Sequence, residues 1–218
     1  MLAAMREDFR EILRLVRPGA RVLDVGCGEG ELLQLLRDEK GADARGIEIG
    51  AEGVAACLAR GLPVMQGDAD RDLREFPADA FDYAILSQTL QAVREPRKVL
   101  ADLTRLAERA VVSFPNFGHW RVRMSLLATG RMPMTRALPE PWWATPNIRL
   151  CTLRDFTELA AELGLAVESA TALARGRPAR PIDPQARLET WRAESALLLL
   201  RRTRAPAAPE RPRADLFG

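Results

Sequence analysis

The residues with the clearest chemical potential form a glycine-rich segment, Asp24-Val25-Gly26-Cys27-Gly28-Glu29-Gly30. The segment follows a short apolar stretch typical of a strand and precedes a stretch with helical periodicity. Glycines at such a turn let a ligand approach the backbone closely, and the N-terminus of the following helix offers free N–H groups. The segment therefore predicts a binding loop for a nucleotide-like cofactor.

The spacing of the glycines distinguishes two classes of cofactor. A dinucleotide fingerprint requires a third glycine three residues after the second, where this chain has Glu31, whereas Gly30 follows Gly28 by only two positions. The spacing therefore argues against NAD. The acidic-x-Gly-x-Gly-x-Gly pattern that begins at Asp24 and Gly26 resembles motif I of class I S-adenosylmethionine-dependent methyltransferases. This resemblance implies S-adenosylmethionine, or S-adenosylhomocysteine, as the ligand, and a purely structural glycine turn is the alternative.

Carboxylates follow at the ends of the next two predicted strands. Glu48 lies about twenty residues beyond the glycines, where a carboxylate can accept hydrogen bonds from both ribose hydroxyls. A surface acid at a strand end is the alternative for Glu48. Asp68 matches the position at which the resembled methyltransferases hold the adenine edge, together with the next backbone N–H. Asp70 is interpreted as a solvated acid at the start of a helix.

Residues that would carry out a reaction are harder to identify. Ser87 and Gln88 follow the predicted fourth strand, at the sheet edge where ligands gather. The sequence contains no Asp/Asn-Pro-Pro-aromatic motif, no Pro-Cys pair and no acidic cluster for a metal. The sole histidine, His119, could act as a general base, but capping or packing at the start of the next helix is the favoured interpretation. Trp142 and Trp143 are interpreted as loop anchors. The predicted cofactor-binding residues are Asp24, Gly26, Cys27, Gly28, Gly30, Glu48, Ile49, Asp68, Ala69, Ser87 and Gln88.

The elements that must position these residues alternate between strand and helix. An opening helix ends at Pro18-Gly19. Strands are predicted at residues 21–25, 44–49, 63–66, 81–86, 110–114, 165–173 and 195–201, with helices at 31–37, 51–60 and 96–108. Thr152 and Asp155 have the spacing of a capping box that opens a helix ending at residue 163. The pattern predicts an α/β fold with a doubly wound, mostly parallel sheet of seven strands.

The length of 218 residues accommodates one domain, which is predicted over residues 1–202. Segments 132–147, rich in Pro and Trp, and 175–185, rich in Arg and Pro, are predicted to be covering loops. Residues 203–218 lack apolar periodicity and are predicted to be a disordered tail.

Charge and composition exclude several classes of protein. The 32 basic and 30 acidic residues give a net charge of +2 without a long basic stripe, so nucleic acid is not the favoured partner. Acidic residues near the start interrupt any signal peptide, and no apolar run is long enough to span a membrane, so a cytoplasmic location is expected. Cys27, Cys57 and Cys151 are widely separated, which argues against a structural metal site or a disulfide framework.

Three further segments resemble the MetW family of methionine biosynthesis proteins: residues 85–91 (ILSQTLQ), 113–121 (SFPNFGHWR) and 145–152 (TPNIRLCT). The resemblance covers roughly residues 5–202. It implies a bacterial, cytoplasmic protein with a methyltransferase fold that works beside homoserine O-acyltransferase, the enzyme that acylates homoserine on the way to methionine.

Two functions remain open. The first is a cofactor-binding partner that stabilises, activates or regulates the acyltransferase through residues 115–149. The second is a methyltransferase acting on a small molecule, with Gln88 and His119 orienting the acceptor. Exposure of Phe117, Trp120, Trp142 and Trp143 would favour a partner surface, whereas burial around a deep pocket would favour a substrate site.

Overall fold

A computed structural model of the chain describes residues 5–135 and 138–203. In chain order its strands are β1 (Arg21–Val25), β2 (Asp43–Glu48), β3 (Val64–Gln66), β4 (Phe81–Ser87), β5 (Ala107–Pro115), β6 (Leu165–Leu173), β7 (Arg180–Pro181) and β8 (Ser195–Arg202). The helices are α1 (Glu7–Leu15), α2 (Glu31–Lys40), α3 (Ala51–Ala59), α4 (Pro96–Leu106), α5 (Trp120–Thr129), α6 (Leu153–Glu162) and α7 (Arg187–Arg192), with 3-10 turns at Leu73–Glu75 and Leu90–Ala92.

The described strands form one sheet in the order β3-β2-β1-β4-β5-β8-β6-β7. Strands β1 to β5 are parallel. Strand β8 is antiparallel to both β5 and β6, so β6 runs in the same direction as β5. Strand β1 has β2 on one side and β4 on the other, so the strand order reverses between β1 and β4. Ligands of open α/β sheets bind at the carboxyl ends of the strands beside such a switch point.

Helices cover both faces of the sheet. Alternate residues of β1 point to opposite faces, so Val22 belongs to one apolar cluster while Leu23 and Val25 belong to the other. Helices α1, α2 and α3 pack on the Val22 face, and α4 and α6 pack on the opposite face. The predicted doubly wound, mostly parallel sheet is confirmed.

The number of strands differs from the prediction of seven, since residues 5–135 and 138–203 contain eight. The additional strand, β7, lies within the predicted loop 175–185 and pairs with the edge of β6 over two residues. Strand β5 begins at Ala107, although the helical pattern predicted a helix to residue 108. Pairing of Ala107 with Phe81, and of Arg109 with Tyr83, favours the extended conformation there. Helix α7 was not predicted.

The capping box predicted at the start of α6 is confirmed. The Thr152 hydroxyl accepts a hydrogen bond from the Asp155 N–H, and the Asp155 carboxylate accepts one from the Thr152 N–H. Residues 204–218 of the predicted tail lie outside the described residues. Thr203, however, donates its N–H to the carbonyl of Gly164 at 2.9 Å, so it is part of the ordered structure. Within the described residues, no helix combines the length and apolar character needed to span a membrane.

Candidate functional site

The glycine-rich loop between β1 and α2 is built from left-handed backbone. Gly26, Gly28 and Gly30 have φ values of +75°, +54° and +80°, a region that is costly for residues with a Cβ. A Cβ on Gly26 would lie 2.6 Å from Cγ2 of Thr89, and one on Gly30 would lie 2.5 Å from Cδ1 of Leu62. A Cβ on Gly28 would meet no described atom within 4 Å. The first and third glycines therefore permit close packing, whereas Gly28 leaves an open side for a ligand.

The backbone N–H groups of this loop are largely engaged inside the protein. Gly26 donates to the Ile47 carbonyl at 2.8 Å, and Gly28 donates to Oε2 of Glu48 at 2.8 Å. The Gly30 N–H donates to the Cys27 carbonyl at 3.0 Å. The loop is therefore not the cradle of free donors expected from its glycines, and a pyrophosphate would find few unpaired N–H groups there.

A cavity of about 270 Å³ lies beside the loop and is rich in carboxylates. Asp24, Glu29 and Glu31 line it, together with the guanidinium groups of Arg6 and Arg60. Asp24 is only 2% exposed, and burial raises the pKa of its carboxyl to about 7, an effect that the charge of Arg6 opposes. A carboxylate that is desolvated in this way is stabilised by a nearby cation, so the cavity suits a ligand with a positively charged group.

Glu48 ends β2 and connects the glycine-rich loop to the start of α3 through its carboxylate. Its Oε2 accepts from the Gly28 N–H at 2.8 Å, and its Oε1 accepts from the Gly50 N–H at 2.7 Å. A Cβ on Gly53 would lie 2.8 Å from the Gly28 carbonyl oxygen, so α3 packs closely against the loop. Each Glu48 oxygen keeps a second lone pair, and the carboxylate is held in one orientation from which it can accept two further hydrogen bonds.

A second cavity, of about 180 Å³, lies on the other side of Gly26. The predicted residues Ile49, Asp68 and Ala69 line it, and Ile49 is 65% exposed at its edge. Most of the remaining lining is apolar and comes from the ends of β1 and β2 and from the turn after β4, which the sequence did not identify as part of a site: Val25, Ile47, Thr89, Ala92 and Val93. A slot that combines apolar walls with the carboxylates of Asp68 and Asp70 suits a flat heteroaromatic ring. Because Gly26 lines both cavities, one elongated ligand could occupy them together.

The acids after β3 hold one another in place. Asp68 accepts from the Asp70 N–H at 2.9 Å and donates its own N–H to Asp72 at 2.7 Å. The Asp70 carboxylate accepts from the N–H groups of Arg94 and Glu95, both at 2.9 Å. The interpretation of Asp70 as a solvated acid at a helix start is therefore wrong. Asp70 fixes the chain just before α4 and so supports one wall of the second cavity.

The two cysteines nearest the loop serve packing. The sulfur of Cys27 packs beside Gly46 of β2, where a Cβ would lie 2.5 Å away, and Cys27 also lines the cavity beside the loop. The Cys57 thiol donates to the Gly28 carbonyl at 3.3 Å. Burial raises the pKa of both thiols, which keeps them protonated. Within residues 5–135 and 138–203, no three His, Cys, Asp or Glu side chains come together as a metal site.

A buried polar network that the sequence did not reveal joins the start of α1 to the ends of β4 and β5. The Asp8 carboxylate accepts from the hydroxyl of Ser87 at 2.6 Å, from Arg6 at 2.6 Å and from the Ser113 hydroxyl at 3.2 Å. Gln88, whose φ is +53°, donates its N–H to the Ser113 carbonyl at 3.0 Å. The predicted site residues Ser87 and Gln88 thus lie at the sheet edge as expected, with the Ser87 hydroxyl bonded inside the protein.

The aromatic residues beyond β5 have two different environments. His119 lies at the N-cap of α5 and is 7% exposed, which agrees with packing at a helix start, although its side chain makes no capping hydrogen bond. Burial lowers the pKa of its imidazole, so the ring is neutral near pH 7. Trp142 and Trp143 stack edge to face 5.9 Å apart and are 68% and 73% exposed. Their interpretation as loop anchors is therefore wrong.

Comparison with known proteins adds a family. The family model described as "Methionine biosynthesis protein MetW" matches residues 6–200 of this chain. A relative from Rhodopirellula baltica, "Bifunctional methionine biosynthesis protein MetXA/MetW", is 34% identical over 170 residues, which cover 74% of this chain and 27% of the relative. The chain therefore spans about a quarter of the length of that relative.

Solved structures with the same fold include S-adenosylmethionine-dependent methyltransferases. One from Thermotoga maritima has a TM-score of 0.66 at 14% identity, covering 90% of this chain and 88% of that one. Another from Archaeoglobus fulgidus has a TM-score of 0.64 at 15% identity, covering 89% and 91% of the two chains. At these identities the similarity shows the fold alone, which is that of S-adenosylmethionine-dependent methyltransferases.

Proposed function

The chain belongs to the family of the methionine biosynthesis protein MetW, and from that premise we propose that it binds S-adenosylmethionine and supports or regulates homoserine O-acyltransferase. The resemblance to the MetW family supports the choice of the acyltransferase as the partner. The name of the R. baltica relative supports an association, because it joins MetXA and MetW in one protein. A cytoplasmic location is part of this proposal.

The two cavities that meet at Gly26 support the cofactor half of the proposal. When bound, S-adenosylmethionine supplies a methyl group on a cationic sulfonium centre, and the buried carboxylate of Asp24 lines the cavity that suits a cation. Glu48 would accept hydrogen bonds from the ribose, and Asp68 with the Ala69 N–H would hold the adenine edge. The proposed cofactor-binding residues are Asp24, Gly26, Cys27, Gly28, Gly30, Glu48, Ile49, Asp68, Ala69, Ser87 and Gln88.

The single observation that carries the partner half is the exposure of large apolar side chains in and after α5. We call this set the tryptophan surface, and it consists of Leu127, Met134, Trp142, Trp143 and Ile148, all more than half exposed. Helix α5 itself buries only Val122. Exposed tryptophans are unusual on a surface that stays in water, and they are enriched among the residues that dominate binding at protein interfaces. The face is therefore proposed to dock on the acyltransferase.

The test is acyl transfer by the acyltransferase with and without this chain. We expect the wild-type chain to change the activity or the recovered yield of the acyltransferase and to co-purify with it. The double variant Trp142→Ser/Trp143→Ser should lose both effects. Leu58→Ser is a matched control, since Leu58 is 60% exposed on α3 at the far end of the sheet. An acyltransferase that is indifferent to the wild-type chain would refute this role.

A second candidate function, methyl transfer to a small molecule, is favoured by one observation. Adjoining cavities lead from Arg6, beside Asp24, past Gln88 to the neutral imidazole of His119. Methyl transfer depends chiefly on in-line positioning, and a neutral imidazole near the acceptor could take its proton. Formation of S-adenosylhomocysteine in a metabolite extract, reduced by His119→Gln, would support this function over the first.

A further inference from the structure

A cavity of about 760 Å³ lies at the carboxyl edge of the sheet, between the start of α5, the hairpin of β6 and β7, and the connection from α7 to β8. Its volume is within the range of about 300–1,000 Å³ that is typical of ligand sites. Its lining is strongly basic. The guanidinium groups come from three separate segments of the chain: Arg121 in α5, Arg175, Arg177 and Arg180 in and before β7, and Arg192 at the end of α7.

Most of these charges are not neutralised by the protein. Arg180 pairs with Glu189 at 2.5 Å. In the part of the chain that the structure describes, Arg121, Arg175, Arg177 and Arg192 form no ion pair, and Glu194 is the one acidic residue lining the cavity. Four like charges around one cavity repel one another, so an anion bound among them would lower the electrostatic free energy.

Two other features of the cavity lining indicate the chemical character of its ligand. The first turn of α5, which begins at Trp120, opens on the cavity without a side-chain cap, and its N–H groups add positive potential. Trp120, Leu173 and Pro178 supply apolar surface. A ligand that satisfies both features has several negative charges and an organic framework that can contact the apolar wall.

The cavity adjoins the proposed cofactor cleft, by which we mean the two cavities that meet at Gly26. A smaller cavity of about 220 Å³ shares Arg175 and Glu194 with it, and shares Arg6 with the cavity beside Asp24. A ligand among the arginines would therefore lie next to the S-adenosylmethionine site without overlapping the tryptophan surface.

We infer that the basic cavity, defined by Arg121, Arg175, Arg177 and Arg192, binds a small organic polyanion that carries phosphate or carboxylate groups. This site goes beyond the proposed function, because it needs neither the acyltransferase nor the cofactor. A small molecule fits better than nucleic acid, since the charges surround a cavity and the chain as a whole has a net charge of only +2.

The test is calorimetric titration of the full chain at low salt with two probes, inorganic pyrophosphate and citrate. We expect at least one to bind, and the tighter of the two identifies phosphate or carboxylate as the recognised group. The double variant Arg175→Ala/Arg177→Ala should weaken binding about ten-fold or more, because it removes two charge-assisted contacts. Both side chains are exposed, so the midpoint of thermal unfolding should stay unchanged.

The matched control is Arg74→Ala/Arg154→Ala, which removes the same charge from exposed positions outside the cavity. We expect its affinity to stay within about two-fold of wild type, since distant exposed charges are screened. Equal weakening in both double variants, or no binding of either probe, would overturn the site. Tighter binding of a single-stranded RNA than of either probe, lost in the Arg175→Ala/Arg177→Ala variant, would replace it with a nucleic-acid surface.

Discussion

At the scale of single residues, the cofactor cleft depends on small side chains where backbone segments approach closely. Gly26 faces Thr89 at the end of β4, and Gly53 lets α3 approach the carbonyl of Gly28. Glu48 completes the arrangement by accepting N–H groups from the loop and from the start of α3. The loop is therefore held from three directions, and the open side of Gly28 is where a ligand has room.

Alanine substitutions should separate the two roles of the glycines. Gly26→Ala should lower the free energy of unfolding by about 3 kcal/mol, because left-handed strain adds to a clash with Thr89. Gly28→Ala should cost only about 1 kcal/mol, from strain alone. Its Cβ would nevertheless project into the cavity and weaken the binding of S-adenosylmethionine. Urea unfolding and ligand titration measure the two effects, and equal destabilisation by both variants would contradict this account.

The pKa of Asp24 predicts a pH dependence of cofactor affinity. Its folded value of about 7 lies above the ordinary 3.8, so its protonated form contributes stability at low pH that is lost as pH rises through 7. A cationic ligand prefers the ionised carboxyl, whose fraction rises from about one tenth at pH 6 to about nine tenths at pH 8. The dissociation constant for S-adenosylmethionine should fall roughly ten-fold over this interval. Titrations in Asp24→Asn should show a flat profile, and an equal slope in that variant would exclude Asp24 as the cause.

The sequence predicted a role for the loop, Glu48 and Asp68 because each lies in a short motif at a strand end. It did not identify Arg6 and Asp8, although Asp8 is buried against Ser87, because 79 residues separate them along the chain. The acid that supports α4, Asp70, was misassigned for the same reason. Its partners Arg94 and Glu95 belong to another segment, and only the folded chain brings them together.

At the scale of elements, one buried asparagine connects the segments beyond β5. The Asn116 amide donates to the carbonyls of Thr190 and Ala193 at 2.8 and 2.7 Å, and its oxygen accepts from the N–H groups of Gly118 and Leu153, both at 3.0 Å. These four bonds join the end of β5, the turn before α5, the start of α6 and the end of α7. They position the walls of the basic cavity.

Loss of this side chain should therefore be strongly destabilising. Asn116→Ala leaves two carbonyls and two N–H groups unpaired in the interior, so we expect the free energy of unfolding to fall by about 3 kcal/mol or more. Asn147→Ala is the control, because the Asn147 side chain makes no hydrogen bond to a described residue, and a change within about 0.5 kcal/mol is expected. Chemical denaturation measures both. A loss below about 1 kcal/mol in Asn116→Ala would contradict the role of the asparagine as a structural junction.

Element prediction succeeded where local periodicity and burial agree. Strands β1 and β6 have the predicted bounds because their apolar residues end at clear turn signals. Element prediction failed where strand pairing overrides the local conformational preference of the sequence. Ala107 continues a helical pattern but pairs with Phe81 in the sheet, and Arg180 and Pro181 form β7 only because the edge of β6 offers backbone groups to pair with.

At the scale of the whole molecule, the proposed functional surfaces occupy different places around the same sheet edge. The cofactor cleft lies at the switch point between β1 and β4, the basic cavity lies beyond β5, and the tryptophan surface follows from α5 onward. The basic cavity could not be predicted because its arginines come from three segments separated in sequence. The fold from β1 to β4 was predictable because each of these strands ends in a recognisable motif.

The proposed function predicts that S-adenosylmethionine and the acyltransferase affect each other's binding to the chain. If S-adenosylmethionine changes the affinity of the chain for the acyltransferase by some factor, the acyltransferase must change the affinity for S-adenosylmethionine by the same factor. We expect a factor different from one, measured by titrating each ligand in the absence and presence of the other. If neither ligand changed the affinity of the chain for the other, the cofactor would not regulate the complex.

Binding of S-adenosylmethionine is the central claim, and calorimetric titration of the full chain with this ligand tests it most directly. The account predicts saturable binding that Glu48→Gln weakens at least about ten-fold, because the amide can no longer accept from both ribose hydroxyls. Glu39→Ala, an exposed change on α2, should leave the affinity unchanged. Absence of detectable binding to the wild-type chain at millimolar ligand would contradict the claim.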